Sequence, residues 1–83
     1  MKEKLDLIRN SIKDEMDKLD IEITNITYRK EGSYNFLEIE LDQINVIDLD
    51  TIVKATDIIN PIIDKLDVID DSYILDIVSK ERG

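Results

Sequence analysis

Apolar and acidic residues alternate without interruption along Leu37-Glu38-Ile39-Glu40-Leu41-Asp42. Successive side chains of a β-strand point to opposite faces, so this run would place its aliphatic residues on one face and its carboxylates on the other. The aliphatic face needs a covering layer, whereas the carboxylates can remain in water. The run therefore predicts a half-buried strand in a sheet that is covered on one side only.

A second strand precedes this run and is joined to it by a tight turn. Residues 21–30 are rich in β-branched side chains, which favour strands. The turn would be Lys30-Glu31-Gly32-Ser33, in which Gly32 is free to adopt a positive φ. The apolar positions change parity between Ile23 and Ile26, which predicts a β-bulge or a late strand start near Thr24–Asn25.

Two amphipathic helices lie on either side of this hairpin in the sequence. Residues 2–18 predict the first, with apolar side chains three or four positions apart at Leu5, Ile8, Ile12, Met16 and Leu19. The second begins after Asp48, a residue type suited to an N-cap. Its apolar stripe comprises Leu49, Ile52, Thr56, Ile59, Ile63 and Leu66, widened by Val53 and Ile62. Pro61 lacks an amide donor and crowds the carbonyl of Asp57, so we predict a kink there or a break into two pieces.

The third strand completes the predicted fold. Tyr73, Leu75 and Ile77 alternate with Ile74, Asp76 and Val78. The order α-β-β-α-β predicts a two-layer α+β domain in which a three-stranded sheet carries both helices on one face. A right-handed crossover through the second helix would set the third strand parallel to the second. The pattern leaves open whether the third strand lies beside the first strand or the second.

The composition predicts a single acidic domain spanning residues 1–83. The net charge of −9 comes from residues 31–83, which carry four basic and 13 acidic residues, because residues 1–30 carry seven of each. The chain has neither cysteine nor histidine, which excludes disulfides and zinc sites built on those residues. The first 20 residues mix charged and apolar side chains and predict neither a signal peptide nor a membrane span. We therefore expect a cytoplasmic domain without membrane contact.

The uncovered face of the predicted sheet is the candidate binding surface. If the aliphatic residues of the strands pack on the helices, the residues that point away are Asn25, Thr27, Phe36, Glu38, Glu40, Ile74, Asp76 and Val78. Such an acidic face is electrostatically complementary to a basic protein. We predict that Glu38, Glu40 and Asp76 act as charge partners and that Phe36 supplies an apolar contact. The alternative is that these residues only keep an open sheet face soluble.

No motif indicates catalysis, a metal site or a cofactor. Carboxylate pairs are expected by chance among 20 acidic residues, and no histidine is present to activate a serine. Two isolated glycines cannot form a phosphate-binding loop. A calcium loop that starts at Asp42 or Asp48 lacks oxygen ligands at the required positions. Asp71-Ser72 has the residue types of an acyl-carrier attachment site, but it opens a strand and not a helix. We expect a protein that is not an enzyme.

The α-β-β-α-β order also resembles bacterial KH-type (type II) RNA-binding domains. Those domains clamp the RNA backbone with a Gly-x-x-Gly loop. This chain has no such loop, since Gly32 and Gly83 are its only glycines, and its net charge would repel phosphates. We therefore expect little direct RNA binding.

Four short patterns occur in a fixed order along residues 19–79. An aromatic residue ends the first strand before a Glu-Gly turn (Tyr28-Arg29-Lys30-Glu31-Gly32), and the second strand closes on an aspartate (Leu37–Asp42). A Leu-Asp pair opens the second helix (Leu49-Asp50), and the third strand reads Tyr73-Ile74-Leu75-Asp76-Ile77-Val78-Ser79. This ordered set resembles the amino-terminal domain of the ribosome maturation factor RimP.

The resemblance implies a cytoplasmic, non-enzymatic assembly factor. Such factors bind the immature 30S ribosomal subunit and help a basic ribosomal protein and 16S rRNA reach their final arrangement. After the last strand the family continues with Pro-Gly and a basic stretch, whereas this chain has Lys80-Glu81-Arg82-Gly83. We also expect the family's carboxyl-terminal β-barrel domain to be absent, by truncation or by nature, and the domain to be a monomer. The alternative is a generic acidic protein-interaction domain without a ribosomal role.

Overall fold

The predicted order of elements is confirmed in the computed structural model, which describes residues 1–43 and 47–80. The elements are α1 (Lys2–Lys18), β1 (Glu22–Glu31), β2 (Tyr34–Asp42), α2 (Leu49–Leu66) and β3 (Ile74–Ser79). The helices and the sheet make the domain α+β, as expected. Part of the calcium-loop spacing tested above, and residues 81–83 of the tail, lie outside the described residues.

The strand order of the sheet is β1-β2-β3, so β2 lies in the centre. β1 and β2 form the antiparallel hairpin, and β3 runs parallel to β2, as the crossover through α2 predicts. The position of β3 beside β2, which the sequence left open, makes β1 and β3 the two edges of the sheet.

The predicted β-bulge is present in β1. Ile23 pairs with Leu41 and Asn25 pairs with Glu40, so Thr24 is an extra residue on the β1 side. Its hydroxyl donates to the backbone oxygen and to a carboxylate oxygen of Glu40, at 3.1 and 2.7 Å. The bulge shifts the parity of the strand, and both Ile23 and Ile26 therefore lie in the core.

The core lies between the sheet and the two helices. The largest fully buried side chains are Ile8, Ile12 and Met16 of α1, Leu37, Ile39 and Leu41 of β2, and Ile59 of α2. Each fully buried aliphatic side chain contributes roughly 1.5–3 kcal/mol to the free energy of unfolding. The alternation that predicted the central strand is confirmed, because all three of its aliphatic residues have no exposed surface.

The buried face of α2 differs from the predicted stripe at its amino-terminal end. Leu49 and Val53, one helical turn apart, are 75% and 52% exposed, so their assignment to the buried stripe is wrong. Ala55, which was not assigned to it, is fully buried. The face that packs runs through Ile52, Ala55 and Ile59, because the side chain at position 55 is small enough for the helix to lie close against the core.

Pro61 does not break α2, which runs as one helix from Leu49 to Leu66, so the predicted break into two pieces is wrong. A proline in a helix interior costs about 3 kcal/mol relative to alanine. Here the ring lies on the exposed side, while Ile59 and Ile63 on either side of it are buried. Their burial, at roughly 1.5–3 kcal/mol each, is sufficient to hold both halves in one helix.

Two local predictions about the backbone are confirmed. The carboxylate of Asp48 accepts a hydrogen bond from the Thr51 N–H at 2.8 Å, which caps α2. Gly32 has a φ of +59° in the hairpin turn, a conformation that favours glycine.

Candidate partner-binding surface

The pairing register brings the predicted site residues together on the uncovered face of the sheet. Phe36, Glu38 and Glu40 follow one another on the same side of β2, and Asp76 of β3 lies directly opposite Glu38. We call this surface, formed by the eight predicted outward residues and by Arg29, the open face. All nine residues share one side of the sheet by register.

Arg29 is a central residue of the open face that the sequence reasoning missed. Its guanidinium forms an ion pair with Glu38, lies 3.2 Å from a carboxylate oxygen of Glu31, and sits 5.5 Å from the ring centroid of Phe36. Hydrogen bonding to Glu38 and then to Glu31 raises the pKa of Arg29 above its ordinary value. The hairpin turn could have indicated this position, because a two-residue turn after Glu31 sets Arg29 opposite Phe36. Glu38 therefore has a cationic partner within the chain.

Glu40 and Asp76 carry negative charge without a salt bridge among the described residues. Glu40 is held in place by the hydroxyl of Thr24 in the bulge. Asp76 is half-buried at the β3 edge. These two carboxylates are the part of the predicted site that remains available to an incoming cation.

The open face divides into two parts along the strands. At the hairpin end, Arg29, Phe36 and Ile74 form one row across the three strands, and Ile74 is 45% exposed. At the other end, Glu40 is followed by the pair of Glu22 and Asp42, which places further carboxylates beside the bulge. A ligand that lies along the strands would therefore meet Arg29 and apolar surface at one end and negative charge at the other.

The described residues contain no group of three or more acidic, histidine or cysteine residues that could hold a metal ion. Ser72 precedes β3, and its carbonyl accepts a hydrogen bond from the side chain of Asn35 at 3.0 Å. It is therefore not at the start of a helix, where an acyl carrier presents its serine. Within the described ranges, no helix combines the length and the apolar character needed to cross a membrane.

The fold and the open face place this chain in a class of small two-layer α+β domains. Such a domain has two helices on one side of a mixed sheet, and here the other side is an acidic face. A family model described as the RimP N-terminal domain matches residues 11–80, and the chain therefore belongs to this family. The match spans the carboxyl-terminal half of α1 and the whole of the sheet and α2. The family is one of non-catalytic ribosome maturation factors, and the resemblance seen in the sequence is confirmed.

Proposed function

We propose that this domain binds the immature 30S ribosomal subunit during small-subunit assembly and contacts a basic ribosomal protein through its open face. Membership of the RimP N-terminal domain family supports the role in ribosome maturation. The observation that supports a basic partner is the placement of Glu40 and Asp76, two carboxylates on one uncovered sheet face without a salt bridge among the described residues.

The residues of the open face have distinct roles in this proposal. Glu40 and Asp76 pair with lysine or arginine side chains of the partner. Glu38 either exchanges its hydrogen bond with Arg29 for one with the partner, or accepts from both at once, since a carboxylate can accept more than one donor. Phe36 packs against an apolar side chain at the hairpin end, beside Ile74. Charge complementarity of this kind increases the association rate more than the affinity.

The charge of the chain also supports a protein partner over direct contact with RNA. A net charge of −9 disfavours the approach of a phosphate backbone, whose binding is dominated by lysine and arginine contacts. In this proposal the domain acts as a monomer in the cytoplasm, and the ribosomal protein makes the contact with 16S rRNA.

Charge reversal on the open face tests the proposal. The double variant Glu40→Lys/Asp76→Lys changes the net charge by +4, and we expect it to lose co-sedimentation with immature small subunits. Circular dichroism should show an unchanged fold, since neither residue belongs to the buried core.

The matched control reverses two exposed acidic residues on the helices, Asp14→Lys/Asp57→Lys, with the same change in net charge. This variant should sediment with immature subunits like the natural chain. Equal loss in both variants would show that only the overall charge matters, and equal retention would exclude the open face. If the natural chain itself does not co-migrate with precursors, the generic interaction domain without a ribosomal role is favoured.

A further inference from the structure

The outer edge of β3 carries backbone groups that are available for pairing. The N–H of Lys80 donates to the carbonyl of Leu41 in β2 at 2.8 Å. Backbone groups of a strand point to its two edges in alternation, and the register of β3 with β2 is unbroken. The N–H and C=O groups of Leu75, Ile77 and Ser79 therefore point away from β2. Among the described residues none of these groups has a hydrogen-bond partner on that side.

The side chains of β3 are also incompletely covered. Leu75 and Ile77 face the helices but are only half-buried, in contrast to Leu37 and Ile39, which lie beside them in β2 and are fully buried. Ile74 on the other side is 45% exposed. An aliphatic strand with these properties buries more of its surface when a further strand lies beside it.

The opposite edge of the sheet has features that prevent strand addition. β1 contains the bulge at Thr24, and the guanidinium of Arg9 in α1 donates to the carbonyl of Ile23 at 3.0 Å. Its last three residues, Arg29-Lys30-Glu31, are charged. Bulges, charged side chains and occupied backbone groups are the usual means by which an edge strand is protected. The only protective features of β3 are its short length and the charge of Asp76, so the two edges of the sheet are not equivalently protected.

A strand placed beside β3 would meet negative charge on both faces of the sheet. On the open face its side chains would approach Asp76. On the helix side they would approach a cleft of about 410 Å³ at the start of β3, whose lining includes Asp64, Asp71, Tyr73 and Leu75. Lysine or arginine side chains of the added strand would be attracted to the carboxylates at both places. Their aliphatic stems, or apolar residues between them, would cover Leu75 and Ile77.

We infer that the free edge of β3 accepts an extended, basic segment of a protein partner as a fourth strand. Backbone hydrogen bonds to Leu75, Ile77 and Ser79 hold the segment, and carboxylates on either side of the sheet select for cationic residues. The basic character of the partner rests on the proposed function. The site of strand addition rests on the backbone of β3.

Amide hydrogen exchange of the whole chain, measured by NMR with a model peptide, tests the inference. The probe is an eight-residue peptide of alternating lysine and valine, blocked at both ends, and its glutamate–valine counterpart is the charge control. At saturation, the lysine peptide should slow exchange of the amides of Leu75, Ile77 and Ser79 by about tenfold or more, while those of Asp76 and Val78, already bonded to β2, stay unchanged. The glutamate peptide should have no effect.

A proline variant tests the same contact from the side of the protein. Ile77→Pro removes one outward donor without touching the ladder to β2. Ile77→Ala is the matched control, because both variants replace the isoleucine side chain with a smaller one and only the proline removes the N–H. The peptide should bind Ile77→Pro about tenfold more weakly than Ile77→Ala. Ser79→Pro and Ser79→Ala form a second pair at an exposed position, to be used if circular dichroism shows that Ile77→Pro is unfolded.

Three outcomes would overturn the inference: equal binding to the proline and alanine variants, binding that leaves the three amides unprotected, and protection of those amides in the free chain by formation of a dimer. The last outcome would assign the β3 edge to a second copy of this chain. Failure of the proposed function is distinguishable, because it appears as unchanged subunit binding by Glu40→Lys/Asp76→Lys whatever the peptide does. Subunit binding that survives Ile77→Pro but not charge reversal would remove only the strand addition.

Discussion

The guanidinium of Arg29 forms an ion pair with the carboxylate of Glu38 on the adjacent strand of the sheet. Glu38 also lies directly opposite Asp76, and two carboxylates in that position repel each other. The contact with Arg29 offsets this repulsion. It also leaves the open face with its strongest unbalanced charge at Glu40 and Asp76, so one arginine determines where the face is most negative.

Removing this arginine should increase the attraction of the open face for a basic partner. In Arg29→Ala, Glu38 loses its cationic partner and the face gains one unit of negative charge. We expect faster association with immature small subunits and a steeper decrease of the rate with salt, because exposed charges are screened over about 8–10 Å at moderate ionic strength. The melting temperature should change little, since solvent-exposed ion pairs stabilise a fold weakly.

The control for this experiment is Lys13→Ala, which removes an exposed cation of α1 that is paired with Asp17. It changes the net charge identically at a site on α1 and not on the open face. Slower association in Arg29→Ala would mean that Arg29 itself contacts the partner.

The N-cap of α2 should make the stability of the domain depend on pH. Hydrogen bonding by Thr51, first through its hydroxyl and then through its N–H, lowers the pKa of Asp48 in the folded chain. The unfolded chain has an ordinary aspartate pKa of about 3.9, so the cap stabilises the fold above that pH and its contribution is lost as the pH falls through the lower, folded pKa. Asp48→Ala should therefore lower the melting temperature by several degrees at pH 7 and by less below pH 4.

Thermal unfolding followed by circular dichroism between pH 3 and pH 7 measures this difference. Asp57→Ala, an exposed acidic residue of the same helix, is the control and should show a much smaller change at pH 7. A melting-temperature difference for Asp48→Ala that is independent of pH would contradict the assignment of a charged cap.

The central strand should be the most sensitive part of the core. Ile39 of β2 has no exposed surface and packs among residues of both helices and both neighbouring strands in one hydrophobic cluster. Ile39→Ala should lower the free energy of unfolding by about 2–5 kcal/mol, and Ile39→Val by about 0.5–1.5 kcal/mol. Urea titrations measure both values. Val53→Ala, at a 52% exposed position, should cost far less, and similar losses at the two sites would contradict the described core.

Pro61 should be a position where the domain can be stabilised by one substitution. Its ring is exposed and it lacks the amide that would donate to the carbonyl of Asp57 within α2. Pro61→Ala should raise the free energy of unfolding by about 1–3 kcal/mol, since alanine restores that hydrogen bond and has the better helix propensity. The exposed neighbour Asn60→Ala serves as the comparison in the same urea titration. A decrease for Pro61→Ala would show that the ring itself stabilises the fold.

Local periodicity was sufficient to predict the elements and several of their details. The alternation of Leu37, Ile39 and Leu41 predicted the central strand, and the parity change between Ile23 and Ile26 predicted the bulge. The residue type at Asp48 predicted the cap. Each of these features depends on residues that are close in sequence, because backbone geometry fixes which neighbouring side chains share a face.

The prediction of α2 was weaker in its amino-terminal half and at its proline. Exposure of Leu49 and burial of Ala55 depend on where the sheet lies under the helix, which hydrophobic spacing alone does not specify. The continuity of the helix through Pro61 depends on the packing of Ile59 and Ile63 against residues far away in sequence. The open face shows the same division. Its residues followed from alternation, whereas the contact of Arg29 with Glu38 depends on the pairing of two strands.

By itself, the sequence determined the α+β class, the order of elements, the acidic character of the uncovered sheet face and the likeness to RimP. The tertiary structure alone decided that β3 lies beside β2 and that Glu38 is paired within the chain. It also decided that, among the described residues, the outward backbone groups of β3 have no partner, while the Ile23 carbonyl of β1 is bonded by Arg9. The reason is that periodicity records which side of an element is apolar. The neighbour of each element, and the partner of each charge, are set by contacts between residues far apart along the chain.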